Sequence, residues 1–205
     1  MRRFLTLAVY LAIGPGFVVT PRAACAADAA SKSAATIQQF LKIRTPGAPT
    51  ILPDGSLLLR DWPDGVNQLY RVTPKAAGAA ASYQPANTTS KKLTDYADGL
   101  SGFSVSPDGK RVVLMHARGG NENTQLTLLD PATGETSPIL ANPKVQASVN
   151  KWLDDGSAFI YSANDASPND FHLYRWDFAA GKATRLLAEQ GAWGAADVTL
   201  DGARV

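Results

Sequence analysis

Short runs of alternating apolar and polar residues recur along this chain, and the runs meet at Asp-Gly pairs. Period-2 alternation predicts β-strands with one face inward, and Pro-Asp-Gly between two such runs predicts a tight hairpin. Proline presets φ, aspartate bonds back to nearby amides, and glycine accepts a positive φ. In residues 98–143 the predicted strands are 102–106, 111–115, 125–129 and 135–140, with turns at Pro107-Asp108-Gly109-Lys110 and Asp130-Pro131-Ala132-Thr133-Gly134. Residues 144–190 repeat the plan, with strands 148–153, 158–162, 171–178 and 183–187 and turns at Asp154-Asp155-Gly156 and Ala180-Gly181-Lys182. Residues 48–97 are the most divergent unit, with strands 50–52, 56–60, 68–72 and one near Lys92-Leu93. There an Ala/Ser/Asn-rich insertion between Pro74 and Ser90 is expected to be a solvent-exposed hairpin loop. A fourth copy begins at 191, with a strand over 195–200 and a turn at Asp201-Gly202.

Asp54-Gly55, Asp108-Gly109, Asp155-Gly156 and Asp201-Gly202 are thus spaced by 54, 47 and 46 residues. A period in the forties with four strands per unit predicts a β-propeller, whose blades bury their faces only against neighbouring blades. The expected fold is all-β: a partial propeller of three four-stranded antiparallel blades and the start of a fourth. Propellers have four to eight blades, so the chain is expected to be the front portion of a longer protein.

The first 47 residues read differently. Met1-Arg2-Arg3, an apolar stretch over 4–13 broken by Gly14-Pro15-Gly16, and Ala24-Cys25-Ala26 form the three parts of a secretory signal peptide over 1–26, cut near Ala26 or Ala27. The apolar stretch is shorter than the roughly 20 residues a membrane-spanning helix needs, so no stable membrane anchor is expected. Arg22 stands where a lipoprotein signal wants a large aliphatic residue, which argues against lipid attachment at Cys25. Within 27–47, Ile37, Phe40 and Leu41 have the spacing of one short amphipathic helix, ended by Pro46 and Pro49.

Export changes the charge and redox arguments. The chain has 20 basic and 18 acidic side chains, and losing Arg2, Arg3 and Arg22 turns a formal charge of +2 into −1. The basic balance therefore comes from the targeting segment, and no nucleic-acid partner is expected. Cys25 is the one cysteine, so the mature chain is expected to have no disulfide and no cysteine nucleophile or metal ligand. The expected location is periplasmic or extracellular.

Several motifs then resemble a known family. Ser106-Pro107-Asp108-Gly109-Lys110-Arg111-Val112, Arg118-Gly119-Gly120-Asn121-Glu122-Asn123, and Gln125-Leu126 with Leu129-Asp130-Pro131-Ala132-Thr133-Gly134-Glu135 resemble the N-terminal propeller of the prolyl oligopeptidase family of serine peptidases. Its exported dipeptidyl aminopeptidase and acylaminoacyl peptidase type is the most similar. Phe40-Leu41-Lys42-Ile43-Arg44, Arg60-Asp61-Trp62-Pro63-Asp64-Gly65 and Gln68-Leu69-Tyr70 agree with the start of such propellers. The resemblance implies a propeller that admits only short peptides to a C-terminal α/β-hydrolase domain carrying Ser, Asp and His. No Gly-x-Ser-x-Gly elbow occurs here, and Ser101 in Gly99-Leu100-Ser101-Gly102 lacks the spacing. These residues are therefore expected to hold no catalytic, cofactor or metal site.

Arg118 and Glu122 are the candidates for contact with substrate or with an interface, since a carboxylate there suits a peptide amine and an arginine a carbonyl or carboxylate. The plainer reading of that pair is a loop ion pair. His116 and His172 read as structural or surface residues, Asp154-Asp155 as a turn, and Trp62, Trp152, Trp176 and Trp193 as blade packing. A non-enzymatic periplasmic propeller of the Tol-associated kind is the alternative. A propeller enzyme with a central metal is disfavoured by the lack of a His/Asp/Glu cluster. Expression in a bacterial host tests the export reading: N-terminal sequencing of periplasmic protein should begin within a residue or two of Ala27, and recovery of cytoplasmic chain retaining Met1 would sink it.

Overall fold

The computed structural model describes residues 44–78, 82–199, 202, 204 and 205, together with Ile37 and Gln39. The expected signal peptide lies outside the described residues. So does the expected short helix, apart from Ile37 and Gln39, which are helical and exposed. Residues 1–43 and 44–205 are separate units, and every named strand belongs to the second.

Among the described residues, twelve strands form three four-stranded antiparallel sheets, each in simple chain order. Blade 1 comprises β1 (Gly47–Ile51), β2 (Leu57–Asp61), β3 (Gln68–Pro74) and β4 (Thr88–Lys92). Blade 2 comprises β5 (Gly102–Val105), β6 (Val112–His116), β7 (Gln125–Leu129) and β8 (Thr136–Leu140). Blade 3 comprises β9 (Ala147–Trp152), β10 (Ala158–Ser167), β11 (Asp170–Asp177) and β12 (Lys182–Leu187). The expected hairpin loop over 74–90 is partly structured. β3 runs on to Pro74, a 3-10 turn covers Pro85–Asn87, and β4 pairs with β3 from Pro74↔Thr88. β10 and β11 are longer than their hydrophobic runs, because backbone pairing continues through polar residues to Ser167↔Asp170. The strand expected over 195–200 is not formed among the described residues, where Ala192 makes a single bridge to Phe171.

Alternation on the central strands explains the stacking. Val112 and Leu114 of β6 join Leu58 and Leu69 of blade 1 in one buried cluster, with Leu52, Leu100 and Leu129. Val113, between them, points the other way and joins Trp152, Phe159 and Tyr161 of blade 3. β10 divides in the same manner. Phe159, Tyr161 and Ala163 face blade 2, whereas Ala158 and Ile160 pack with Leu153, Leu173, Ala195 and Val198 on the opposite side. Each cluster lies between successive repeats, so burial of these side chains, worth roughly 1.5–3 kcal/mol for each large one, requires the neighbour.

The four Asp-Gly turns share one hydrogen-bond pattern. The amides of Gly55, Gly109, Gly156 and Gly202 donate to the carbonyls of Leu52, Ser106, Leu153 and Thr199, at 2.9, 2.8, 2.9 and 2.7 Å. The aspartates act as expected: Asp54, Asp108 and Asp155 each accept from the amide two residues on. Bonds from Ser56, with help from Arg71, hold the Asp54 carboxyl below its usual range.

These turns also touch one another from blade to blade. A Cβ on Gly109 would stand 2.3 Å from Pro53 Cδ of the preceding turn, and one on Gly202 would stand 2.7 Å from Leu153 Cδ2. Arginines bridge the same seams. Arg71 of blade 1 bonds Asp54 and donates to the Pro131 carbonyl of blade 2 at 2.7 Å. Arg111 of blade 2 lies 4.7 Å above the Phe178 ring of blade 3, and Arg175 of blade 3 donates to the Gly202 carbonyl at 3.4 Å.

Gly109 therefore has two reasons to lack a side chain, its φ of +69° and the wall of Pro53, whereas Gly134 has φ +86° with nothing within 4 Å of a Cβ. Gly134→Ala should cost about 1–2 kcal/mol for the left-handed backbone alone. Gly109→Ala should cost a further ~1–3 kcal/mol for overpacking a rigid ring. Urea denaturation midpoints of the two variants measure the difference, and equal losses would show that the turns do not bear on one another.

Candidate functional site

The β6–β7 connection, where the Arg118–Asn123 motif lies, is held from both sides. Gly119 and Gly120 adopt φ of +68° and +67°, which accounts for the paired glycines. The Gly119 amide donates to Asp98 Oδ2 at 2.7 Å, tying the loop to the crossing between blades 1 and 2. Asn123 Nδ2 donates to the Pro143 carbonyl at 2.7 Å, tying it to the exit from β8. Between these anchors is a pocket of about 420 Å³. Its polar wall includes Tyr96, His116, Arg118, Asn121, Asn123, Gln125 and Thr127, and its apolar wall includes Pro138, Leu140, Ala141 and Pro143.

His116 and Gln125 face each other across the β6/β7 ladder and are 6% and 8% exposed. The Tyr96 ring stacks on the imidazole with centroids 4.0 Å apart. His116 Nε2 is 2.9 Å from Thr127 Oγ1, and burial raises the pKa of the Tyr96 phenol, an effect that a bond with Thr127 partly offsets. His116 Nδ1 has no partner. The Gln125 amide is oriented by three donations from Nε2, to the carbonyls of Asn142 at 2.7 Å and of Asn123 and Val145 at 3.0 Å. Its Oε1 also has no partner. Two buried polar atoms without partners are costly, roughly 1–3 kcal/mol each, and such groups call for an explanation.

The structure separates the two motif residues singled out by sequence. Arg118 is exposed and lines this pocket, while Glu122 is exposed and does not line it. Neither is in an ion pair among the described residues. Gln125 and Tyr96 were not expected at a site; a Gln-Leu pair heading the third strand of two repeats was the signal. The tryptophans do not meet in one pocket. Trp152 is buried, stacks on Phe178 and donates to Ser104 Oγ at 2.8 Å, and Trp193 is 39% exposed. His172 is buried at the head of β11 with Nδ1 unpartnered. Among the described residues there is no cluster of three or more His, Cys, Asp or Glu suited to a metal, and no helix long and apolar enough to cross a membrane.

Burial, and then the positive charge of Arg118, push the His116 pKa below 6.5. A buried base of this kind contributes stability above its unfolded pKa, lost as pH falls through 6.5 toward the folded value. In NMR titrations His116 should stay neutral until below pH 6.5, and Arg118→Gln should move its midpoint part of the way back up. A midpoint at or above 6.5 in the unaltered protein would show that the imidazole is neither desolvated nor near the guanidinium.

No family model matches the sequence, and no curated protein matches it. Solved structures do share its architecture. A prolyl endopeptidase, from a study of two such enzymes, superposes with a TM-score of 0.55 and 19% identity over 87% of this chain and 29% of its own. Prolyl oligopeptidase B from Galerina marginata gives 0.51 and 18% over 86% of this chain and 29% of its own. TolB from Acinetobacter baumannii gives 0.51 and 21% over 77% of this chain and 36% of its own. The chain thus spans between 29% and 36% of the length of these structures. Three consecutive four-stranded blades, and this likeness to two prolyl peptidases and to TolB, show that residues 44–205 have the β-propeller fold.

Proposed function

We propose that this chain is the propeller portion of an exported serine peptidase of the prolyl oligopeptidase type, restricting access of short peptides to an α/β-hydrolase domain outside these residues. The observation that carries the reading is the likeness to a prolyl endopeptidase over 87% of the chain. It is supported by the Arg118–Asn123 run and the Gln-Leu pairs at 68–69 and 125–126. Within residues 1–205 no serine stands in a Gly-x-Ser-x-Gly elbow, so the chemistry belongs to the hydrolase partner. The propeller's part is steric: blades that hold one another by buried faces form a rigid wall that a folded protein does not pass. The signal-like segment at 1–26 supports a location for this activity outside the cytoplasm.

The likeness to TolB favours a second reading, a periplasmic propeller that binds protein partners and catalyses nothing. Reading the coding frame past Val205 and assaying its product separates the two. Under the first reading the frame supplies further blades, a Gly-x-Ser-x-Gly elbow and downstream Asp and His. Its product cleaves dipeptidyl or N-acylaminoacyl anilides and spares folded proteins. Residues 1–205 alone leave these substrates intact. Further blades followed by a stop, with no hydrolysis, would overturn the peptidase in favour of the binding propeller.

A further inference from the structure

Each Asp-Gly turn after the first has the preceding repeat against it. A Cβ on Gly109, Gly156 or Gly202 would meet an atom of the turn before it, Pro53 Cδ at 2.3 Å, Asp108 Cγ at 3.5 Å or Leu153 Cδ2 at 2.7 Å. At the last two turns the preceding blade also supplies a donor. Arg111 Nη1 stands 3.5 Å from the Gly156 carbonyl oxygen, and Arg175 Nη1 stands 3.4 Å from that of Gly202. Blade 1 is different. A Cβ on Gly55 would meet nothing within 4 Å, and no strand precedes β1 among the described residues. Ile51, just before the turn, is 67% exposed. Its cross-strand neighbours Leu57 and Val72 are half-buried, where the matching Val112 and Leu129 of blade 2 are fully covered.

The Gly55 carbonyl nevertheless has a donor, for the Tyr83 hydroxyl bonds it at 2.5 Å. Tyr83 belongs to blade 1 itself, in the β3–β4 connection, which covers 75–87 here against 130–135 in blade 2 and 178–181 in blade 3. The longer connection is tied at its base. The Lys75 amide donates to the Asn87 carbonyl at 2.8 Å, Lys75 Nζ to the Ala86 carbonyl at 2.8 Å, and Asn87 Nδ2 to Ser82 Oγ at 3.2 Å. These bonds hold the residues on either side of Tyr83. The turn it reaches is also where the first seam begins. Asp54 accepts from the Ser56 amide and hydroxyl and pairs with Arg71, and Arg71 Nη1 donates to the Pro131 carbonyl of blade 2. A line of contacts therefore runs from the connection, through Gly55, Asp54 and Arg71, to the next blade.

A hydroxyl on an exposed carbonyl has a plainer reading as an incidental surface contact. Against it, the acceptor is the same turn carbonyl that a neighbour's arginine takes in the third and fourth repeats, and the added length occurs in the blade with no neighbour on that side. From this correspondence we propose that the 75–87 connection is an end cap. Tyr83 does from within blade 1 what the preceding blade's arginine does for the later turns. It keeps the leading turn ordered, and with it the hold of Arg71 on blade 2, while no blade stands in front. The cap works in the same way whether the propeller serves a peptidase or a binding protein.

Hydrogen exchange of the 205-residue chain, followed group by group by NMR, tests this. Tyr83→Phe keeps the ring and removes the donor at a position 40% exposed, so the fold is retained. In that variant the Gly55 and Ser56 amides should exchange about 3–10-fold faster, the effect of losing one hydrogen bond. The Arg71 Nε–H, which donates to Ser56 Oγ at 2.9 Å, should quicken with them. The Gly156 and Gly202 amides should keep their rates. Arg111→Gln should give the converse, with Gly156 faster by a similar factor and Gly55 unchanged, because there the donor comes from the neighbouring blade. Unchanged exchange at Gly55, Ser56 or Arg71 in Tyr83→Phe would show that the hydroxyl holds nothing in place. Equal acceleration at all the turns would show a general loss of stability instead of a local cap, and either result overturns the proposal.

Discussion

A four-stranded antiparallel sheet with apolar residues on both faces has no stable existence in water, and that constraint organises this molecule. In β6 the run Val112, Val113 and Leu114 is fully buried, yet a strand turns successive side chains to opposite sides. One face must be met by blade 1 and the other by blade 3. The hydrophobic effect has no direction of its own, but alternation on a strand gives it one, and repetition of the pattern arranges the blades in series. Stability in such an array is a sum of interfaces, so removing one blade strips a face from its neighbour as well.

Packing of the central strands leaves the blade ends to be fitted together, and polar groups do this. The Asp-Gly turns approach closely enough that a methyl group on Gly109 would collide with Pro53, and the arginines at 71, 111 and 175 reach across from one blade to the next. Arg71 and Arg175 occupy matching places on the third strands, opposite Leu58 and Ile160. Blade 2 has Leu128 at that place, and Arg111 beside its turn takes over the role. The latch keeps its position around the seam while the residue supplying it moves, because any guanidinium long enough to reach the neighbouring turn meets the same carbonyls and rings.

The candidate pocket arises from the same economy of repeated parts. Each of the first two blades has its third strand pinned to the segment leaving the fourth, and a buried amide does this with its donor side at Gln68 and Gln125 alike. A repeat is free to vary in how it treats the other side of that amide. Blade 1 saturates it, and blade 2, with Ala141 and Pro143 in the following segment, leaves it buried without a partner.

Periodicity and turn chemistry are legible from the chain itself. Strand alternation, Pro-Asp-Gly turns and a spacing in the forties are local properties, and local properties survive without coordinates, which is why the sequence reveals three blades and marks the aspartates as hinges. Strand ends are less legible where pairing outruns hydrophobicity, as in β10 and β11, and where backbone bonds draw the polar stretch from Thr88 to Lys92 into blade 1. Arg118 stands out by its motif, but its lack of an ion-pair partner does not, because charge pairing depends on where a loop folds. The pocket needs Tyr96 from one blade beside His116 and Gln125 from the next, residues separated by up to 29 positions in the chain. Sequence determined the units and their order, since each unit is specified by neighbours along the backbone. Which buried groups are satisfied and which are left open was decided only by the tertiary structure, since a hydrogen bond requires its two partners to meet in space.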